Sequence, residues 1–433
     1  MPLPTLRLPE DMGQLVERLA SRRGMDPEME RRVRAILDDV RQRGDEALVE
    51  YTRRFDCPDF DAGQIVVERR EIERAMDQVP PGDLDILAEA IANVRSFHQA
   101  QKRESWVRSE GDGTVLGQLV RPVEAAGLYV PGGAGGSTPL ISSLIMTAAP
   151  AQIAGVPRIT AVTPPRRDGS LNPYILATAN LLGSVTVLRC GSAWAVAALA
   201  YGTQSVPACD VIAGPGNIYV TTAKRLLTGE IGIDMIAGPS EILILADDSA
   251  KPNQLAADLL SQAEHDTLAS SLLITTSPEL ARDVREELLR QLGELDRAEM
   301  ARASLQDYGA VLLASDLDTA LAAVNRIAPE HLEIVLRDPW PLLGRIHNAG
   351  AIFLGPHAPE PVGDYFAGPN HVLPTLRNCR HASALGVDNF LKFSSLIATS
   401  EDYILKHGAK IARLARLEGL EAHARSVESR LKK

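Results

Sequence analysis

Hydrophobic positions change rhythm along this chain, and the change divides it. Over the first hundred residues they follow a helical period. Val33, Ile36, Leu37 and Val40 share one face, Gly44 interrupts, Ala47, Leu48 and Tyr51 resume, and a further long helix is expected over 83–101. From about residue 115 short apolar runs alternate with helical stretches. Strands are expected at Arg158–Val162, Ser184–Arg189, Cys209–Ala213 and Ile233–Ile236, with helices at Asn172–Leu182, Ser192–Gly202 and Asn217–Leu227 between them. A second series places strands at Glu241–Ala246, Ser271–Thr275, Ala310–Ala314, Leu332–Leu336 and Ala351–Leu354 around helices at Asn253–His265, Pro278–Leu292 and Leu317–Ile327. Such alternation implies parallel sheets covered on both faces. The expected fold is α/β: two doubly wound, incomplete Rossmann-like sheets, with a helical N-terminal segment and a helical C-terminal tail. The boundaries read as an arm over 1–27, one unit from 28–130 with 240–385, a second over 131–239, and a tail over 386–433. Residues 401–430 form a charged amphipathic helix or helix pair, which is expected to pack on something else, such as another subunit.

Composition narrows the function classes. At 433 residues the chain exceeds one ordinary core. A 45% hydrophobic, 23% charged composition belongs to a soluble globular protein. The net charge of −11 argues against a nucleic-acid partner. No basic, apolar leader opens the chain and no run is long enough to span a membrane, so a cytoplasmic protein is expected. Cys57, Cys190, Cys209 and Cys379 lie far apart, which indicates buried thiols rather than a disulfide framework or a thiolate metal site.

Several segments carry polar groups that could do chemistry, each with an ordinary structural explanation beside it. No GxGxxG fingerprint is present. Instead Gly127-Leu-Tyr-Val-Pro-Gly-Gly-Ala-Gly-Gly-Ser-Thr-Pro139 is a glycine-rich loop with Thr138 and Pro139 as a helix start, able to let amides approach a phosphate or to serve as a plain crossover turn. Gly214-Pro-Gly-Asn217 has the same two readings. Gln262 and His265 lie three apart at a helix end, so they share a face and can point at one object, yet for a lone pair solvent exposure or helix capping is the commoner account. Asp364 falls in a turn-rich loop beyond Leu354, where open sheets gather ligands. Glu418 and His423 are five apart and cannot share one helical face unless Gly419 breaks the helix. Glu330-His331, after Pro329 and at the entrance to a strand, combines a near-neutral base with a carboxylate, the equipment of proton transfer. Ser240 and Glu241 follow an apolar run at the junction of the two series, where hinges often bind ligands.

Together these segments resemble the histidinol dehydrogenase family. The resemblance rests on Gly127–Gly133, Gly214–Val220, Ile233–Glu241, Asp258–His265, Arg326–Glu333, Pro369–Thr375 and Glu418–His423, in that order over nearly the whole chain. It implies NAD-dependent oxidation of L-histidinol through L-histidinal to L-histidine, the last step of histidine biosynthesis. By resemblance Gln262, His265, Asp364 and His423 are zinc ligands, Glu330 and His331 the acid/base pair, and Ser240 and Glu418 further substrate contacts. The ligands and His331 also touch substrate. Tyr129, Trp194 and Asn217 correspond to NAD+-contacting positions. The unit built from 28–130 with 240–385 would be the zinc and substrate domain, 131–239 the NAD-binding domain, and the tail would complete a partner's site in a homodimer. Two departures stand out. Trp194 replaces a usual glutamine, exchanging amide hydrogen bonds for a ring that could stack, and Leu376-Arg377 replaces a usual Gly-Gly. The competing readings are a zinc/NAD dehydrogenase of another small polar alcohol, such as a sulfonated diol, and a silent metabolite-binding protein. Retention of Ser240 and Glu418 disfavours the first, and the intact acid/base and ligand positions disfavour the second.

Overall fold

A computed structural model describes residues 3–23, 26–132 and 139–431. Most of the glycine-rich loop, Gly133 to Thr138, lies outside them. Both parallel sheets are present. A five-stranded sheet has the order β6-β5-β4-β7-β8, from β4 (Ala125–Tyr129), β5 (Arg158–Thr163), β6 (Thr186–Arg189), β7 (Val211–Ala213) and β8 (Gly232–Ile233). A six-stranded sheet has the order β1-β11-β10-β9-β12-β13, from β1 (Thr5–Leu8), β9 (Glu241–Ala246), β10 (Ser270–Thr275), β11 (Ala310–Ala314), β12 (His331–Val335) and β13 (Ala351–Leu354). All pairings in both are parallel. Strand order reverses between β4 and β7 in one and between β9 and β12 in the other.

Burial explains why the central strands lack alternation. All six residues of β9 and all five of β12 are buried, because helices cover both faces. On one face of the six-stranded sheet the helices Pro252–Ala263 and Pro278–Leu292 pack on Ile242, Ile244 and Leu273. On the other, Met12–Ala20 and Leu317–Ile327 pack on Leu243, Leu245 and Leu312.

Four expectations need correction. Thr5–Leu8 is an edge strand beside β11 rather than helix, because a four-residue alternating segment suffices to complete a parallel edge. The tail opens with β14 (Leu391–Ala398), which pairs antiparallel with β3 (Val115–Pro122), itself paired with β2 (Trp106–Ser109). The helix expected to open at Thr138 and Pro139 opens instead at Ile141, with Leu140 at its cap. Finally, residues 28–130 do not pack with the six-stranded sheet. Val33, Leu37, Val40 and Leu48 share a core with Leu199 and Ile212, and Leu87, Ile91 and Val94 share one with Leu128 and Leu144. Apolar faces bury against whichever sheet they reach, and these reach the five-stranded one.

At the β4/β7 reversal the turn after β7 is held from below. Lys224 and Asp234 form a buried ion pair, with side chains 3% and 0% exposed. Lys224 Nζ donates to Gly214 O at 2.9 Å and Gly214 N to Asp234 Oδ2 at 2.8 Å. Gly214 has φ +118°, and a Cβ there would lie 2.2 Å from Tyr129 O. Lys224→Met, which strands the aspartate, should destabilise the fold by about 3 kcal/mol in urea unfolding; a change below about 1 kcal/mol would show that the pair does not hold the turn.

Candidate active site

The residues that could do chemistry gather at the amino edge of the six-stranded sheet, where β9 and β12 begin. This corrects the expectation of a site beyond the carboxyl ends of the strands. The helix Pro252–Ala263 runs back from β9, so its carboxyl end returns to this edge with Gln262 and His265. The short helix Glu360–Tyr365, following β13, brings Asp364 to the same place, so Asp364 sits in a helix rather than a turn.

Proton chemistry centres on His331, the first residue of β12 and 4% exposed. The period of two places it with Glu333 and Val335 on the face covered by Pro252–Ala263. Its Nδ1 lies 2.9 Å from Glu241 O. A carbonyl only accepts, so the proton sits on Nδ1 and Nε2 keeps its lone pair. Nε2 is buried, has no hydrogen-bond partner, and lies 3.9 Å from Asp364 Oδ1. Burial, aided by His371 and His265, lowers the His331 pKa to about 4, so the imidazole is neutral near pH 7. Glu330 Oε2 accepts from Glu241 N at 2.8 Å and stands 3.7 Å from His331 Nδ1. The adjacent carboxylate therefore does not orient the histidine; the backbone of Glu241 orients both. Burial first, and the charge of Glu241 second, raise the Glu330 pKa well above the usual carboxylate range.

Beside this pair lies a set of side chains that could hold a metal ion. One oxygen or nitrogen from each of His265, Glu360 and Asp364 falls within 4.8 Å of the others. Gln262 is 0% exposed, yet neither Oε1 nor Nε2 has a partner, which removes helix capping as its explanation. His371 Nε2 is likewise buried and unpartnered, and burial lowers its pKa to about 4. Desolvation raises Asp364 and Asp258 to about 6, Glu360 to about 8 and Glu333 to about 9. Among the described residues no lysine or arginine pairs with any of these four carboxyls. Buried acids facing unpaired nitrogen and amide donors are what a bound divalent cation satisfies.

The other expected site residues are scattered. Ser240 immediately precedes Glu241. Glu418 and His423 are exposed, on either side of a break at Gly419 (φ +77°) between the helices Glu401–Leu417 and Glu421–Glu428, and His423 is not in the donor group of its own chain. Tyr129 and Asn217 flank the β4/β7 reversal. Tyr129 is buried and its hydroxyl accepts from Ser192 N at 3.0 Å, while Asn217 Oδ1 caps its helix at Tyr219 N, 3.0 Å away. Trp194 is 4% exposed and packs nearly parallel to Tyr51 and Phe55, with centroids 5.6 and 5.5 Å away. Its ring is core, so stacking on a cofactor is not open to it in this arrangement. Glu333, Glu360 and His371 are not singled out by the motif reading, whereas Glu241 is, with Ser240, at the junction of the two series; a glutamate inside the apolar run Leu332–Val335 is the one local signal for the others.

A family model described as histidinol dehydrogenase matches residues 20–431. Histidinol dehydrogenases of Oleidesulfovibrio alaskensis and Bacillus subtilis are 60% and 49% identical, covering 97% and 96% of this chain and the same shares of their own. The crystal structure of histidinol dehydrogenase from Elizabethkingia anophelis superposes with a TM-score of 0.92 at 33% identity, covering 99% of this chain and 98% of that one.

The buried acids give a pH signature. Glu333 holds its proton up to about pH 9 when folded but only to about 4.5 when unfolded, so its stabilisation is complete below the lower value and lost as pH rises toward the higher. Glu333→Gln keeps an acceptor for Glu360 N, bonded at 2.8 Å. In metal-free protein the variant should gain on the wild type by about 1 kcal/mol or more between mildly acidic and mildly alkaline buffer, measured by urea unfolding. A gap independent of pH would show that Glu333 is not held protonated.

Proposed function

The chain belongs to the histidinol dehydrogenase family, and from that membership we propose that the amino-edge cluster is the site where L-histidinol is oxidised through L-histidinal to L-histidine. Membership makes the chain an NAD-linked oxidoreductase of histidine biosynthesis. It leaves the reading as a dehydrogenase of another small alcohol without support. The single observation that carries the placement of the active site is the buried, neutral His331, whose Nε2 is unpartnered beside the His265, Glu360 and Asp364 group.

Gln262, His265 and Asp364 would hold zinc, with His423 of a second chain as the fourth donor; oxygen and nitrogen donors without thiolate suit it. When bound, zinc supplies a positive anchor for the imidazole and amine of the substrate, and NAD+ supplies the hydride acceptor. His331 Nε2 takes the hydroxyl proton as the alcohol is oxidised, its Nδ1–H remaining on Glu241 O. Glu330, a strong base once ionised because burial favours its protonated form, takes a proton from the water that adds to the aldehyde. Oxidation of that hydrate gives the acid. Ser240 and Glu418 orient the substrate, the carboxylate of Glu418 matching a cationic amine. The nucleotide would lie at the carboxyl edge of the five-stranded sheet near Tyr129 and Asn217, the usual place in open α/β sheets; there Gly214 and Gly216 have no room for a side chain.

A homodimer with shared sites fits the tail. Ile397, Leu414 and Leu417 are 70%, 62% and 63% exposed there, an apolar surface to be covered by a partner.

His331→Ala or Glu330→Ala should lower NADH production from L-histidinol about a hundredfold or more at full zinc content; near-normal rates in both would exclude these roles. His265→Ala and His423→Ala chains, each inactive alone, should recover activity when co-expressed, because one site of the mixed dimer keeps every donor. No recovery would place all donors in one chain.

A further inference from the structure

Arg22 stands outside the site described so far. It lies in the turn Ser21–Arg23 at the end of the N-terminal helix Met12–Ala20, and its side chain is 2% exposed. Its Nη2 pairs with Glu241 Oε1, its Nε donates to Leu19 O at 3.2 Å, and its Nη1 to Leu268 O at 3.4 Å. Glu241 is thus engaged through one carboxylate oxygen, its amide and its carbonyl. The same Oε1 accepts from Leu376 N at 3.2 Å, the amide from N donates to Glu330 Oε2, and the carbonyl accepts from His331 Nδ1.

The turn that Glu241 holds is strained. Leu376 and Arg377 have φ +53° and +68°, a conformation that costs non-glycine residues energy and persists only when its surroundings enforce it. Leu376 also covers Gly238, where a Cβ would sit 2.3 Å from Leu376 Cδ1, and Gly238 N donates to Thr375 Oγ1 at 2.5 Å. The 375–377 turn and the 238–241 segment are therefore clamped together, and the carboxylate of Glu241 is one jaw of the clamp.

We propose that Arg22 is a positioning residue for the acid/base pair: its guanidinium neutralises Glu241, so that this one residue holds Glu330 by its amide, His331 by its carbonyl and the 375–377 turn by its carboxylate. An isolated buried ion pair is a poor way to gain stability, since desolvation offsets much of its attraction. Here the pair fixes the side chain of Glu241, whose Oε1 is shared between Arg22 Nη2 and Leu376 N, beside a second buried carboxyl. Without Arg22 the buried Glu241 carboxylate loses its hydrogen-bonded partner and must shift, which releases the turn and moves the backbone on which both catalytic side chains hang. The inference rests on the roles proposed above for Glu330 and His331.

The test uses the full-length, zinc-loaded enzyme. Arg22→Ala should lower kcat with L-histidinol about tenfold or more, the scale of a small misplacement of reacting groups, while KM stays within about threefold because the donors proposed to hold the zinc that anchors the substrate, Gln262, His265 and Asp364, lie on other elements. Zinc content should be unchanged, and guanidinium ion at a concentration that leaves the wild type unaffected should restore a measurable part of kcat, where urea at the same concentration does not. Arg22→Met combined with Glu241→Gln should lose less than the product of the two single losses, because charge and counter-ion leave together; this combination also serves where the single variant folds poorly. Wild-type kcat in Arg22→Ala overturns the proposal. So does a loss of kcat that guanidinium does not recover and that multiplies simply with Glu241→Gln. Glu330→Gln and His331→Asn are measured alongside: if they are as active as wild type, the reading of the pair fails, whereas if they are impaired and Arg22→Ala is not, only this inference fails.

Discussion

The parallel pairing of β9 with β12 is the constraint on which the site depends. Register places His331 beside Ile242, at the end of the ladder, so the amide and carbonyl of Glu241 have side chains rather than strand as partners toward β12. One takes Glu330 and the other His331. Both side chains of the proposed acid/base pair are thus tied to the backbone of a strand buried along its whole length, a rigid support. The tautomer of His331 follows from that pairing and needs no carboxylate.

Around this fixed pair the protein collects groups that are costly to bury. Asp258, Glu333, Glu360 and Asp364 lack cationic side-chain partners among the described residues, while Gln262 and His371 have unpartnered polar atoms. Protonation relieves part of this cost in the absence of a cation, and a divalent ion relieves more of it. The two sides of the pair differ: Glu241 is paired with an arginine from the N-terminal arm, whereas Asp364 and Glu360 have no cationic side-chain partner among the described residues.

Much of the fold was legible because burial on both faces leaves a plain signature, apolar runs alternating with helical stretches, and the expected strands from Arg158 onward fall close to where they occur. Short edges were not legible. Thr5–Leu8 and Leu391–Ala398 pair with strands remote in sequence, and nothing local distinguishes such segments from helix or loop. The grouping of the helices before residue 100 was misjudged for a related reason: an amphipathic face states that it will be buried, not against what. In the site, Glu330 and His331 were visible as a polar pair at a strand start and Gln262 and His265 as a helical pair, and the structure brings them to one edge. Glu333 and Glu360 were not singled out, because a single glutamate in sequence does not declare that it is buried.

The central claim is that the backbone of Glu241 holds His331 as a neutral base with its lone pair on Nε2. A neutron crystal structure of the protein near neutral pH locates the exchangeable hydrogens directly. The account predicts deuterium on His331 Nδ1, pointing at Glu241 O, and none on Nε2. Deuterium on Nε2, alone or together with Nδ1, would contradict it.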